Sequence, residues 1–244
     1  MIAADLGAAV GEQLAFTAPA PTLTRPDALR RLAGLVGRDL RALAPLYGVT
    51  FERDGQRNKG WAGQVVERFL GLPPDAFQRP DFGDWELKVV PIHERADGVL
   101  VPRETMAITM FNEDDLERLA FDESHLLEKL RRQVVVARIF LGPEEPRSLV
   151  LACVPFDLDD PALLTEIAAD YEEIRWVART SGLPALTGRI GRWVQPRPKG
   201  EGHGRGGHGF YAKKALIARM LGLSGAGTPE DDPPDAASGL VLGR

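Results

Sequence analysis

Ten consecutive residues, Arg79-Pro80-Asp81-Phe82-Gly83-Asp84-Trp85-Glu86-Leu87-Lys88, constrain this chain more than any other stretch. Trp85 through Val90 reads Trp-Glu-Leu-Lys-Val-Val, and side chains of a strand alternate between its two faces. Glu86 and Lys88 therefore share one side and Leu87 and Val89 the other, which predicts a strand with one charged face and one core face. An isolated Glu-x-Lys is usually a solvated strand face, but here Pro80 sets an extended or turn entry and Asp81 follows it. A carboxylate at Asp81 converges on Glu86 to hold a hard divalent cation, since Mg²⁺ takes oxygen ligands and keeps several waters. Asp84 has the parity of Glu86 and Lys88 and is the alternate first ligand, a choice the sequence leaves open. Lys88 points at the same site, where an ammonium orients a water or stabilises a pentavalent phosphorus. Two carboxylates and a lysine are the parts that metal-dependent phosphodiester hydrolysis needs.

Further blocks accompany the decapeptide in a fixed order. Arg57-Asn58-Lys59-Gly60-Trp61-Ala62-Gly63 and Val66-Glu67-Arg68-Phe69-Leu70-Gly71 precede it, and Val90-Pro91-Ile92 continues it. Ser124-His125-Leu126-Leu127-Glu128-Lys129-Leu130, Asp170-Tyr171-Glu172-Glu173-Ile174, Gln195-Pro196-Arg197-Pro198-Lys199 and Gly209-Phe210-Tyr211-Ala212-Lys213-Lys214 come after it. The acidic strand resembles the PD-(D/E)xK nuclease signature, and the ordered blocks, spread over roughly residues 25 to 223, resemble the MutH family of mismatch-repair endonucleases and related type II restriction enzymes. The resemblance implies that Asp81, Glu86 and Lys88 are the catalytic triad, that Glu67 is a helix glutamate near the metal, and that Lys59 stands close to the scissile phosphate. It implies a second active-site lysine at Lys129, base-reading residues at Arg197 and Pro198, and a tyrosine at Tyr211 placed against an adenine whose methylation is sensed. Asp81 and Glu86 are two residues closer together than in the MutH pattern, a spacing that resembles monomeric restriction enzymes.

A net charge of −5 argues at first against a nucleic-acid partner, because DNA binding draws on cations that displace counterions from phosphates. The distribution answers that objection. Between Arg175 and Arg219 seven arginines and three lysines meet a single acid, Glu201, which is a local charge of +9 and leaves −14 on the rest. Such asymmetry is expected of a polyanion-binding surface, and glycines and aromatics interleave with the charges. Lys199, His203, Arg205, His208, Lys213 and Lys214 join Lys59, Arg197, Pro198 and Tyr211 as expected DNA contacts.

The 244 residues suffice for one large domain or two closely packed lobes. A lone cysteine, Cys153, excludes a disulfide framework and fits a reducing cytoplasm. Met1 to Ala20 lacks a basic start and apolar run, and no apolar segment approaches roughly 18 residues, so neither a secretory signal nor a membrane span is expected. Helical patterns fall at Asp27 to Gly37, with Asp27 as N-cap, at Asp39 to Tyr47, at Trp61 to Leu70 and at Pro161 to Thr180. Strands are expected at Trp85 to Ile92, Thr105 to Phe111, Val134 to Phe140 and Ser148 to Val154. The region Gly188 to Gly209 shows no strong periodicity, and its Gly-x-Gly-x-x-Gly run, Gly202 to Gly207, follows a proline-rich loop and not the strand a nucleotide site requires.

The expected fold is α/β, a mixed central β-sheet flanked by helices in the restriction-endonuclease-like manner, with two closely packed lobes. Residues 1–24 are read as a flexible lead-in, 25–224 as the nuclease domain (catalytic lobe about 25–155, DNA-reading lobe about 156–224) and 225–244 as a disordered acidic tail. The expected activity is Mg²⁺-dependent, Mn²⁺-tolerant, sequence-specific cleavage of double-stranded DNA at a short GATC-like site, methylation-sensitive and within mismatch repair. A stand-alone restriction enzyme and a catalytically inactive DNA-binding module are the alternatives. The expected state is a cytoplasmic, nucleoid-associated monomer acting with a MutL-like activator.

Overall fold

A strand that is apolar on both sides needs cover on both sides, and the central strand of this protein has it. The computed structural model describes residues 23–53, 55–72, 82–142, 144–198 and 207–223. In chain order the elements are α1 (Arg25–Ala33), α2 (Leu40–Leu43), the two-residue strands β1 (Glu52–Arg53) and β2 (Gln56–Arg57), α3 (Trp61–Leu70), β3 (Glu86–Glu94), β4 (Leu100–Pro102), β5 (Met106–Phe111), α4 (Glu113–Arg118) and α5 (His125–Leu130). They continue with β6 (Arg132–Ile139), β7 (Val150–Asp157), α6 (Pro161–Ser181), β8 (Val194–Pro198), β9 (His208–Ala212) and α7 (Lys214–Leu221).

A four-stranded mixed sheet runs in the order β4-β3-β6-β7, with β3 and β6 parallel and the outer pairs antiparallel. On one face Leu87, Val134 and Val136 pack with Ala28 and Leu32 of α1, Leu40 of α2, and Val65, Val66 and Leu70 of α3. On the other, Val90, Ile92, Val135 and Ala137 pack with β5, β9, α5, α6 and α7. Each such aliphatic side chain contributes about 1.5–3 kcal/mol on burial, so the two cores pin β3 from both sides. Glu86 and Lys88 head the row that Val90 and Ile92 continue. The expectation of one charged and one apolar face is therefore corrected, since both faces are core and the charges occupy only the ends of one row, Glu86 and Lys88 at the start and exposed Glu94 at the finish.

Helix α1 starts earlier than expected. Thr24, not Asp27, is the N-cap, and its side chain accepts from the Asp27 N–H. Pro26 explains the shift, because a residue without an N–H belongs inside the first turn and the cap must precede it. Helix α3 has the expected bounds, and α6 begins at Pro161, capped by Asp160, whose carboxylate accepts from the N–H groups of Ala162 and Leu163. Trp61 and Trp193 are buried in the two cores.

The region expected to lack periodicity contributes a second sheet. Strands β5, β9 and β8 pair antiparallel in that order, and β8 carries Pro196 and Pro198. Proline donates no hydrogen bond, so it is tolerated on an edge strand, which is where β8 lies. Among the described residues, no helix is long and apolar enough to cross a membrane. Of the expected lead-in (1–24), residues 1–22 lie outside the described residues, as does the whole of the expected tail (225–244).

Candidate active site

The approach to β3 is a tight turn. Gly83 has φ +85°, the Phe82 N–H donates to the Trp85 carbonyl at 3.2 Å, and the two rings stack with centroids 3.9 Å apart. Both rings are buried, and the Trp85 indole N–H donates to the Leu23 carbonyl at 3.1 Å. This anchor fixes where Glu86 enters the strand. Asp81 lies outside the described residues. Asp84 belongs to the turn and not to the strand, so the parity argument does not reach it, and its carboxylate accepts from Arg132 Nη1 at 2.7 Å. Arg132 also approaches Asp157 at 3.8 Å, and Asp157 accepts from the buried Arg25 at 2.6 Å, tying the turn to α1 and β7.

Glu86 is 1% exposed, a carboxylate that must be compensated where it stands. Two ammonium groups converge on its Oε1: Lys88 Nζ at 2.7 Å and Lys129 Nζ at 3.2 Å. Lys88 also donates to the Ile108 carbonyl of β5 at 3.3 Å, linking the first strand of the site to the second sheet. Lys129 comes from the last turn of α5, whose start is fixed by Ser124, with Oγ accepting from the Leu127 N–H at 3.2 Å. Lysine and carboxylate at this depth hold one another, because removing either partner leaves an uncompensated charge. Glu67 is half-buried on α3, and Lys59 is exposed just ahead of that helix.

The second sheet presents a different surface. Gln195 and Arg197 alternate along β8 onto one face, Tyr211 faces them from β9, and the Arg197 guanidinium lies 5.9 Å from the Tyr211 ring centroid. Burial pushes the Tyr211 hydroxyl's pKa up, and Arg197 opposes that shift. With its amide oriented to satisfy both neighbours, Gln195 accepts from Arg197 Nε at 2.6 Å and donates to the Gly188 carbonyl at 2.7 Å. Gly209 makes room, since a Cβ there would stand 3.1 Å from the Tyr211 ring. Pro198 is exposed at the strand end. His208 is instead buried, with its ring 6.0 Å from Phe111, and Lys213 donates to the Gly191 carbonyl at 2.5 Å. Lys214 is half-buried at the start of α7, while Lys199, His203 and Arg205 lie outside the described residues.

What holds β8 in place is an acid of α6. Asp170, 4% exposed, accepts from three successive backbone N–H groups, Arg192 at 2.6 Å, Trp193 at 2.7 Å and Val194 at 2.8 Å. Gly191, at φ +74°, leads into this turn, and a Cβ there would collide with the Val194 carbonyl. Burial raises the Asp170 pKa, opposed by the three N–H bonds and by Lys213.

Comparison with known proteins points to one family of relatives. A family model described as DNA mismatch repair enzyme MutH matches residues 70–140, the segment that holds Glu86, Lys88 and Lys129. The chain is similar to the DNA mismatch repair protein MutH of Vibrio cholerae serotype O1, 28% identical with 83% of this chain and 97% of the relative covered. It resembles those of Shewanella sp. strain MR-7 (29% identity, 82% and 96% covered) and Klebsiella pneumoniae (28%, 82% and 92%) comparably. The chain is thus similar to MutH proteins over most of its length, and its residues 70–140 match the MutH family model. Among the described residues, no group of three or more His, Cys, Asp or Glu side chains could hold a metal. The donor that the site does offer is an oxygen ligand, the Glu86 carboxylate, and that chemistry suits a hard cation better than a thiolate or imidazole metal.

Sequence reading missed Gln133, the Arg25-Asp157-Arg132 chain and the clamp at Asp170. For Asp170 a signal existed: Leu163, Ile167, Tyr171, Ile174 and Ala178 form the buried stripe of α6, and Asp170 falls on it. An acid on an apolar stripe must have partners.

Proposed function

We propose that this protein is an Mg²⁺-dependent endonuclease that cuts double-stranded DNA at a short, GATC-like, methylation-sensitive site in mismatch repair, with Mn²⁺ able to replace Mg²⁺. The observation that carries the reading is the convergence of the Lys88 and Lys129 ammonium groups on one buried carboxylate oxygen of Glu86. Glu86, together with Asp81, would hold the cation, which supplies Lewis acidity at the scissile phosphate. The chain's own groups do the rest. Lys88 Nζ orients the attacking water by hydrogen bonding, and Lys129 Nζ offsets charge developing on the phosphate oxygens. Glu86 keeps both ammonium groups aimed at one point, in a site dry enough for charges to count for more than in water.

Selection of the site falls to the second sheet. Arginine has a planar fork that matches the two acceptors of a guanine edge in the major groove, and Arg197, propped by Tyr211 and Gln195, is the side chain placed to use it. Tyr211 beside it suits contact with an adenine whose methyl group is to be sensed.

The test is cleavage by purified protein of fully methylated, hemimethylated and unmethylated duplexes carrying candidate sites, with Mg²⁺ and with EDTA, alone and with a MutL-like activator. Cutting that needs Mg²⁺ and spares the fully methylated duplex is expected. Vigorous double-strand cutting without the activator and without regard to methylation would place the protein with restriction enzymes. DNA binding without any cleavage would contradict the enzymatic reading.

A further inference from the structure

Gln133 is fully buried and stands in register with Glu86 across the parallel β3-β6 ladder, so the two side chains lie on the same face about 4.8 Å apart at the backbone. Its amide nitrogen is committed, since Nε2 donates to the Lys129 carbonyl at 2.8 Å. Its backbone carbonyl is also committed, accepting from Arg25 Nη2 at 2.9 Å. The amide oxygen is different: Oε1 is buried and has no hydrogen-bond partner. A buried acceptor left unpaired costs about 1–3 kcal/mol, and native proteins keep few of them. The bond to the Lys129 carbonyl accounts for the donor side of the amide alone, which leaves Oε1 as a buried acceptor suited to a ligand.

The surroundings say what. Lys129, whose carbonyl holds the amide, sends its ammonium to Glu86, and Glu86 is Gln133's partner in the ladder. The three residues form one closed group, and the unspent atom in it is a neutral oxygen. Hard divalent cations accept amide carbonyl oxygens alongside carboxylates, so an oriented amide oxygen beside Glu86 is a donor of the right kind.

We propose that Gln133 Oε1 is a further oxygen donor of the divalent-cation site anchored by Glu86. This rests on the cation-dependent reading given above. Tethering of Nε2 to the Lys129 carbonyl fixes the amide's orientation, so the oxygen is preorganised, and the same bond couples the cation shell to the position of Lys129. Residues that orient a metal's ligands typically cost 10- to 100-fold in affinity when replaced.

Titration of Mn²⁺ into the full chain, with free Mn²⁺ read by electron paramagnetic resonance, tests this without relying on activity. The wild type is expected to bind Mn²⁺ and Glu86→Gln to lose it. Gln133→Met, which keeps length but removes the oxygen, is expected to weaken binding by at least about 10-fold. Gln133→Glu is expected to bind as tightly as wild type or more so. Gln133→Asn, whose oxygen is withdrawn by one methylene, carries the same expectation as Gln133→Met should that variant not fold. Wild-type affinity in a folded Gln133→Met or Gln133→Asn protein, with binding lost in Glu86→Gln, would overturn the proposal and leave the nuclease reading standing. Absence of Mn²⁺ binding in the wild type, or unchanged binding in Glu86→Gln, would overturn both.

Discussion

Glu86→Gln is expected to reduce DNA cleavage by on the order of 10³-fold or more, because it removes the counter-charge that two lysines share and, in the proposed function, a ligand of the cation. Lys88 and Lys129 have side chains only 17% and 8% exposed, and both donate to the same Glu86 oxygen. An amide in its place presents no negative charge to either. Breaking a buried ion pair costs about 3–5 kcal/mol, so the variant should also melt well below the wild type. Activity and stability therefore fall together in Glu86→Gln, and a second variant is needed to separate them. Glu86→Asp keeps the charge and withdraws it by one methylene; it is expected to melt close to the wild type and yet to cleave at least about 10²-fold more slowly, since a misplacement near 1 Å is that costly at a reacting centre. Thermal melts read by circular dichroism alongside single-turnover cleavage check both. A Glu86→Asp enzyme with wild-type rate would show that the carboxylate is structural.

Asp170→Asn is expected to cost roughly 2–4 kcal/mol of stability and to weaken DNA binding without touching a DNA-reading side chain. The carboxylate accepts three backbone N–H groups, and an amide must turn its NH₂ toward at least one of them, setting donor against donor. The turn at 191–194 then loses its hold, and β8 with Arg197 follows. Two influences on Asp170 oppose each other. Burial raises its pKa, while the N–H bonds and Lys213 favour the charged form, and burial is the larger. An acid whose folded-state pKa is raised binds more protons folded than unfolded between the two values, so its contribution to stability falls as pH rises from about 3.8 upward through that window. The wild type should show this slope and Asp170→Asn should lack it, although the wild type remains the more stable of the two at neutral pH. Denaturant unfolding from pH 4 to 7 measures the difference; equal stability at neutral pH would remove Asp170 from its role as the clamp on β8.

The two halves of the molecule were legible in the sequence to different degrees, for physical reasons. Helix α3 and helix α6 announce themselves by apolar spacing and by caps, and β3 by alternation beside two acids. The strand carrying Arg197 is hidden because prolines and a nearby glycine-rich stretch suppress the pattern by which strands are recognised, and only its edge position makes those prolines permissible. Parity misled at Asp84 because Gly83 turns the chain through a positive φ just before the strand starts. Glu86, Lys88 and Lys129 are visible as residue types, but their meeting at one oxygen atom needs a helix end and a strand 43 residues apart to be brought together, which no local pattern encodes. Gln133 is invisible in sequence for the same reason: its meaning comes from its ladder partner.

The most direct measurement is single-turnover cleavage by Lys88→Ala, Lys129→Ala and the double variant, with DNA affinity measured in parallel. Because both ammonium groups converge on the same carboxylate oxygen and, in the proposed function, serve one reacting centre, each single change is expected to slow cleavage about 10²-fold. The double change should cost far less than the product of the two, as residues acting as one unit do, while the duplex is still bound. Losses that multiply independently, or a Lys88→Ala enzyme that cuts at the wild-type rate, would contradict a shared catalytic centre at Glu86.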